Sequence, residues 1–166
     1  MFKINLKKKL LDFIIILTVF LADRISKNYI IDIYELKNNV DIYLNSYLNL
    51  YLIWNKGIAF GLFSFDEVFI YDIITLIIAV ITIVILIMIA KSRGLKKYSL
   101  ILVLGGSLGN IFDRIYYAAV PDFIDFHIQD FHWFIFNVAD IFITIGIIAL
   151  IIDEIFFDIN KSKNHA

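Results

Sequence analysis

Four stretches of the chain, near residues 10–31, 68–90, 98–117 and 133–152, are strongly apolar with few charges. At 1.5 Å per residue, each is long enough to form a helix across the roughly 30 Å of hydrocarbon in a bilayer. Between them the pattern changes. Residues 41–55, "DIYLNSYLNLYLIWN", alternate Tyr43, Tyr47 and Tyr51 loosely with apolar and Asn residues, a strand-like period. A small sheet at the membrane surface is therefore expected, with its tyrosines and Trp54 in the headgroup region, where amphipathic rings are favoured. The pattern predicts an all-α integral membrane protein. It has four transmembrane helices, a small extracytoplasmic β-rich segment between the first two, and a single domain over residues 1–166.

Composition supports this. The chain has 166 residues, of which 61% are hydrophobic, too apolar for a soluble domain of this size. It has no cysteine, which excludes disulfides, thiolate nucleophiles and zinc-thiolate sites. The net charge of -1 identifies no partner, but its distribution is informative. Lysines 3, 7, 8 and 9 precede the first span, and Lys91, Arg93, Lys96 and Lys97 fill the connection between the second and third. The positive-inside rule assigns both to the cytoplasm, so both termini lie inside and residues 32–67 and 118–132 face outward. The start, "KKKLLDFIIILTVFLAD", has the form of a signal peptide but no small-residue cleavage site, and is read as an uncleaved anchor.

The polar residues within these spans carry the chemistry. A carboxylate in hydrocarbon costs roughly 2.5–3.5 kcal/mol, so it requires a partner and a role. Asp140 follows "FNVA" and precedes "IFITIGIIALII"; with Asn137 and Thr144 it forms one polar face, about 10 Å below the outer surface if the span starts at Trp133. Asp23 and Lys27 are four apart on one face near the outer end of the first span, in the acid-before-base order that favours pairing. In "GGSLGNIFDR", Gly105 and Gly109 suit close helix packing, while Asn110, Asp113 and Arg114 make one side of the outer helix end polar. There, Asp113 and Arg114 either neutralise one another or their neighbours, or contact substrate. Ser107 has no histidine or lysine near it in that span to activate it.

The partner of Asp140 is to be sought in the outer loop "AVPDFIDFHIQDFHW", which offers Asp122, Asp125 and Asp130, with His127 and His132 as alternatives. Spacing does not choose among them. No HExxH or similar ligand spacing is present, so no metal and no cofactor is expected. Two carboxylates at a water-accessible membrane edge share one proton. The ionised member takes a proton from water attacking a peptide carbonyl and the protonated member donates to the carbonyl oxygen. The same shared proton also suits a small proton-coupled transporter or channel, for which only Asp12 and Asp72 supply further acids.

Taken in order, "DRISK" at 23–27, "WNKGIAFG" at 54–61, "GGSLGNIFDR" at 105–114, "VPDF" at 120–123 and "FNVAD" at 136–140 resemble the lipoprotein signal peptidase (aspartic signal peptidase II) family across nearly the whole chain. The resemblance implies a multi-pass enzyme of the bacterial cytoplasmic membrane whose site lies near the extracytoplasmic face. Such an enzyme removes the signal peptide from diacylglyceryl-modified prolipoproteins, cutting on the amino side of the lipidated cysteine. The resemblance also implies Asp122 and Asp140 as the catalytic aspartates, in preference to Asp125 and Asp130. Asp23, Lys27, Asn55, Gly57, Ala59, Phe60, Gly61, Asn110, Asp113, Arg114 and Asn137 are implied to bind substrate or support the site. The implied partners are lipidated prolipoproteins and membrane lipids, with no nucleic acid and a monomeric enzyme. Family members often carry a glycine and a second valine where this chain reads "YYAAVPD"; Pro121 removes a backbone donor and weighs against strand pairing immediately before Asp122.

Overall fold

The computed structural model describes residues 6–57, 68–129 and 131–163. Four helices occur among them, α1 (Leu6–Lys37), α2 (Val68–Lys91), α3 (Gly94–Tyr117) and α4 (Val138–Lys163). Four strands lie between them: β1 (Asp41–Asn45) and β2 (Leu48–Asn55) follow α1, and β3 (Val120–Ile128) and β4 (Phe131–Phe136) follow α3. The strands form one antiparallel sheet in the order β1-β2-β3-β4.

The sheet corrects the sequence expectation in two places. First, the β-rich part is not confined to the segment between the first two spans, because residues 120–136 supply half of it. Second, residues 133–136 are strand, and α4 begins only at Val138. The run "FHWFIF" is apolar enough to read as span, but aromatic and β-branched residues fit a pleated surface, and Asn137 then starts the helix. Asp140 is thus in the first turn of α4, about 3 Å along its axis from the first residue at 1.5 Å per residue, where a helix starting at Trp133 would put it about 10 Å along.

Pro121 does not interrupt pairing. It lies opposite Trp54 within β3, and β4 pairs with β3 only from Ile124 onward, so residue 121 has one open edge, where a strand tolerates proline. The sheet rests on the C-terminal part of α1 through Ile30, Val40 and Phe123, with Ile33, Leu50, Ile124 and Val138 packed around them. That cluster joins β3 to the ends of α1 and α4, so the sheet fixes where Asp122 stands relative to the helices.

The helices are apolar outward and polar inward. Phe69, Leu76, Ile77, Val80, Ile81, Val84 and Ile87 of α2 are exposed, whereas Asp23, Arg24, Lys27, Asp113, Arg114, Asn137 and Asp140 are buried. Among the described residues, Phe69–Lys91 is the one helix long and apolar enough to cross a membrane on length and composition alone. Such an extent of exposed aliphatic surface is unsuited to water and suits lipid. Glycines let the helices approach closely. A Cβ on Gly105 would lie 2.8 Å from the Val19 Cβ of α1, and one on Gly106 would lie 2.6 Å from the Ala139 carbonyl oxygen of α4. At the opposite end, Lys97 pairs with Asp12, and Lys96 lies 3.4 Å from Glu154, tying α3 to α1 and α4.

Candidate active site

The first turn of α4 is held by a reciprocal pair of hydrogen bonds. Asn137, just ahead of the helix, accepts through Oδ1 from the Asp140 backbone N–H at 3.1 Å, and Asp140 Oδ2 accepts from the Asn137 N–H at 3.2 Å. This is a capping box made from Asn and Asp, and it satisfies two amide groups that a helix start would otherwise leave open. Asn137 has one group left, its Nδ2, which donates to Asp122 Oδ1 at 2.5 Å. A single asparagine therefore touches both carboxylates.

Each carboxylate receives a second amide. Asn55, at the end of β2, donates through Nδ2 to Asp122 Oδ2 at 2.8 Å, and Asn110 of α3 donates through Nδ2 to Asp140 Oδ1 at 2.9 Å. Asparagine orients a carboxylate without adding a charge that would hold it ionised. Burial, with the Asp140 carboxylate second, pushes the Asp122 carboxyl up to about 7, while the Asn55 and Asn137 donors pull against that rise. Asn55, Asn110, Arg114, Val120, Asp122, Asn137 and Asp140 line a partly open polar cavity of about 10 Å³, roughly the space of one water.

A buried cluster of four charges supports this arrangement. Lys27 Nζ donates to Asp113 Oδ2 at 2.6 Å, to Asn110 Oδ1 at 2.8 Å and to Asp23 Oδ2 at 3.0 Å. Arg24 donates to Asp23 Oδ2 at 2.8 Å and forms an ion pair with Asp113 at 2.5 Å, and its guanidinium lies 4.9 Å from the Phe112 ring centroid. Two acids and two bases sum to zero, which makes their burial tolerable. Lys27 fixes Asn110, and Asn110 fixes Asp140. Asp23 Oδ1 also accepts from the Ala139 N–H at 3.0 Å, so an α1 carboxylate caps α4 as well. A Cβ on Gly109 would fall 2.5 Å from Asp23 Oδ2, which is why this position must be small.

Arg114 turns away from Asp113. It donates to the Gly57 carbonyl, its guanidinium carbon lies 5.3 Å from the Tyr71 ring centroid, and the Tyr71 hydroxyl donates to the Arg114 carbonyl at 3.3 Å. The Gly57 N–H in turn donates to Asn55 Oδ1 at 2.7 Å, so Arg114 and Asn55 hold the same stretch of backbone. Of the alternatives open for Asp113 and Arg114, Asp113 is neutralised by neighbours, Arg24 and Lys27, and not by Arg114.

Of the residues expected at the site, Asp23, Lys27, Asn55, Gly57, Asn110, Asp113, Arg114, Asp122, Asn137 and Asp140 form one connected set. Ala59, Phe60 and Gly61 lie outside the described residues, as does Asp130. Asp125 is elsewhere, bonded to His132 at 2.8 Å. Thr144 borders a second cavity of about 230 Å³, lined mainly by Phe134, Phe136, Ile141 and Ile145 and opening beside Asp140. Sequence reasoning missed Arg24, whose signal was its place beside Asp23 in "DRISK", and Tyr71, which had none. The acids a proton relay would need are engaged or remote, since Asp12 pairs with Lys97 and Asp72 is exposed on α2.

The sequence model of the Signal peptidase (SPase) II family matches residues 15–156. A lipoprotein signal peptidase of Pelagibacter ubique is 55% identical over 162 residues, covering 98% of this chain and 97% of that protein. Another, from Anaplasma phagocytophilum, is 37% identical over 150 residues, with 90% and 95% covered. A bacterial membrane enzyme solved by the in meso method at 2.3 Å resolution superposes with a TM-score of 0.70 at 27% identity, covering 90% of each chain.

Proposed function

The chain belongs to the signal peptidase II family, a membrane enzyme that removes the signal peptide from prolipoproteins, and we propose that it does so as an aspartic peptidase with Asp122 and Asp140 as the catalytic pair. The observation that carries this reading is the sharing of Asn137 between the two buried carboxylates. The Asp122 carboxyl, raised to about 7 by burial and by the Asp140 carboxylate, suits the member of the pair that holds the shared proton. Asp140 acts as the base, at a helix N-terminus that favours negative charge.

Asp140 takes a proton from water as the water oxygen bonds to the scissile carbonyl carbon, and Asp122 gives its proton to the carbonyl oxygen. In the second half the roles reverse. The C–N bond breaks as Asp140 returns its proton to the leaving nitrogen, and Asp122 takes one back from the diol, which becomes the new carboxyl group. Water is thus split between the two products. The polar cavity between the acids is the place for that water, and the apolar cavity beside Asp140 suits the hydrocarbon part of a substrate.

The substrate we propose is a prolipoprotein carrying diacylglycerol on its cysteine, cut on the amino side of that residue. Its acyl chains hold the cysteine near the headgroup boundary, and the dyad lies at the outer end of α4 and in the adjoining sheet. With this substrate we infer four membrane-spanning helices, cytoplasmic termini and a monomeric enzyme in the bacterial cytoplasmic membrane. Purified protein in detergent is expected to cleave a lipidated prolipoprotein without added metal. Asp122→Asn and Asp140→Asn are each expected to abolish turnover while the thermal unfolding transition persists. Full activity in either variant refutes the pair.

A further inference from the structure

On the sheet, Asp125 and His127 are two apart on β3 and share the face opposite the one that Asp122 shares with Ile124. His132 of β4 is the cross-strand partner of His127. One ligand atom from each of the three lies within 4.8 Å of the others. His132 Nδ1 is 2.8 Å from Asp125 Oδ2, and His127 Nδ1 is 3.7 Å from the same oxygen.

The cluster is only partly satisfied. Asp125 is 1% exposed and its Oδ1 has no hydrogen-bond partner; His127 is 7% exposed and its Nδ1 has none either. Asn49, directly opposite Asp125 on β2, also leaves its Oδ1 unpartnered. The other buried side-chain atoms without a hydrogen-bond partner among the described residues belong to Asp12, Arg24, Asp113 and Arg114, each paired or bonded through another atom; here three such atoms lie together beside a cavity, on residues able to bind a ligand. Asp125, His132, Asn49, Asp41, Tyr51 and Ile135 line a cavity of about 360 Å³ beside them.

We propose that Asp125, His127 and His132 bind a divalent transition-metal ion, with zinc the best fit, on the face of the sheet away from the catalytic pair. Two imidazoles and a carboxylate are the donors that zinc and its late first-row neighbours select, whereas calcium and magnesium select oxygen donors alone. Tetrahedral zinc with bonds of about 2.0–2.1 Å sets its ligand atoms about 3.4 Å apart. Closing from 4.8 Å to that spacing is a short movement, and His132, whose side chain is 56% exposed, is free to make it. The Asn49 carbonyl oxygen or a water completes the shell. The register between β3 and β4 shifts between Phe126 and His127, and a bound ion ties the two strands together at that irregularity.

The test uses the full-length, tag-free protein in detergent micelles, stripped with chelator and titrated with Co²⁺ as probe and Zn²⁺ as competitor. One equivalent of Co²⁺ should develop visible absorption bands that Zn²⁺ abolishes, and Zn²⁺ should raise the unfolding temperature. His127→Ala and His132→Ala should each weaken binding at least about tenfold, as loss of a metal ligand does, while His165→Ala leaves it unchanged. Because His132 is exposed, His132→Ala tests the site even if His127→Ala does not fold. Absence of the bands at stoichiometric Co²⁺, or binding that survives both ligand substitutions, overturns the proposal. Peptidase activity should be the same before and after chelation, so failure of the metal site is distinguishable from failure of the aspartic mechanism.

Discussion

Replacing Asn137 separates two tasks that one side chain performs. Asn137→Ala removes the cap of α4, which is worth about 1 kcal/mol, and the donor to Asp122 Oδ1, which leaves a buried acceptor open at a cost of roughly 1–3 kcal/mol. A loss of about 2–4 kcal/mol in stability is expected. Turnover should fall about 100-fold, because displacing a reacting group by an ångström has that order of effect: Asp122 loses its Nδ2 donor, and Asp140, though it keeps the backbone N–H of residue 137, loses the side-chain cap that fixes its helix turn. Asn137→Asp is the informative control. Aspartate caps a helix as well as asparagine does, so the start of α4 survives, but a third carboxylate replaces the donor 2.5 Å from Asp122. Activity should fall as far as in the alanine variant, with a smaller loss of stability at acid pH, where the added charge is neutralised. The assays are cleavage of a lipidated prolipoprotein in detergent and thermal unfolding across pH. Turnover within threefold of the parent for Asn137→Asp would refute the claim that donation to Asp122 matters.

Other substitutions and conditions test the surrounding machinery. Asp122 is raised from the ordinary carboxylate value to about 7, so the rate should fall as pH rises through about 7 and again at low pH once both acids are protonated, with apparent constants that belong to the pair. A flat profile over that range would exclude a shared proton. The same rise sets the sign for stability: the neutral Asp122 carboxyl stabilises the fold fully below the unfolded value near 4, and this is lost as pH rises through about 7. Asp122→Asn should therefore unfold at a progressively higher temperature than the parent as pH goes from 5 to 8. Lys27→Met leaves Asp23 and Asp113 buried with Arg24 alone and should cost about 3–5 kcal/mol, with lower turnover because Asn110 loses its anchor. An unchanged melting temperature in that variant would show that the four charges do not act as a unit.

Much of this was legible in the sequence, for definite reasons. Hydrophobic runs long enough for a bilayer are unambiguous at "FIYDIITLIIAVITIVILIMIAK", and ionisable residues inside such runs are costly enough to mark a site. The boundary before α4 was not legible, because "WFIF" is as apolar as a span, and only the cap at Asn137 with the acid three residues later reveals the helix start. Reading Asn137 as helical made it a neighbour of Asp140 one turn away; as the cap, it reaches Asp122 as well. The pairing of Asp113 with α1 was also hidden, since the separation between Asp113 and Arg24 or Lys27 carries no local period. The glycines of "GGSLGN" suggested close packing, but not that Gly109 makes room for the carboxylate of Asp23.

The contact from Asp23 to the Ala139 amide has a consequence for the order of biogenesis. The helix that carries Asp23 leaves the ribosome first among the four, and the helix it caps leaves last. Until that last segment inserts and docks, Asp140 has neither its amide from Asn110 nor a fixed first turn. On the proposed mechanism, proteolytic competence is therefore a property of the completed fold alone.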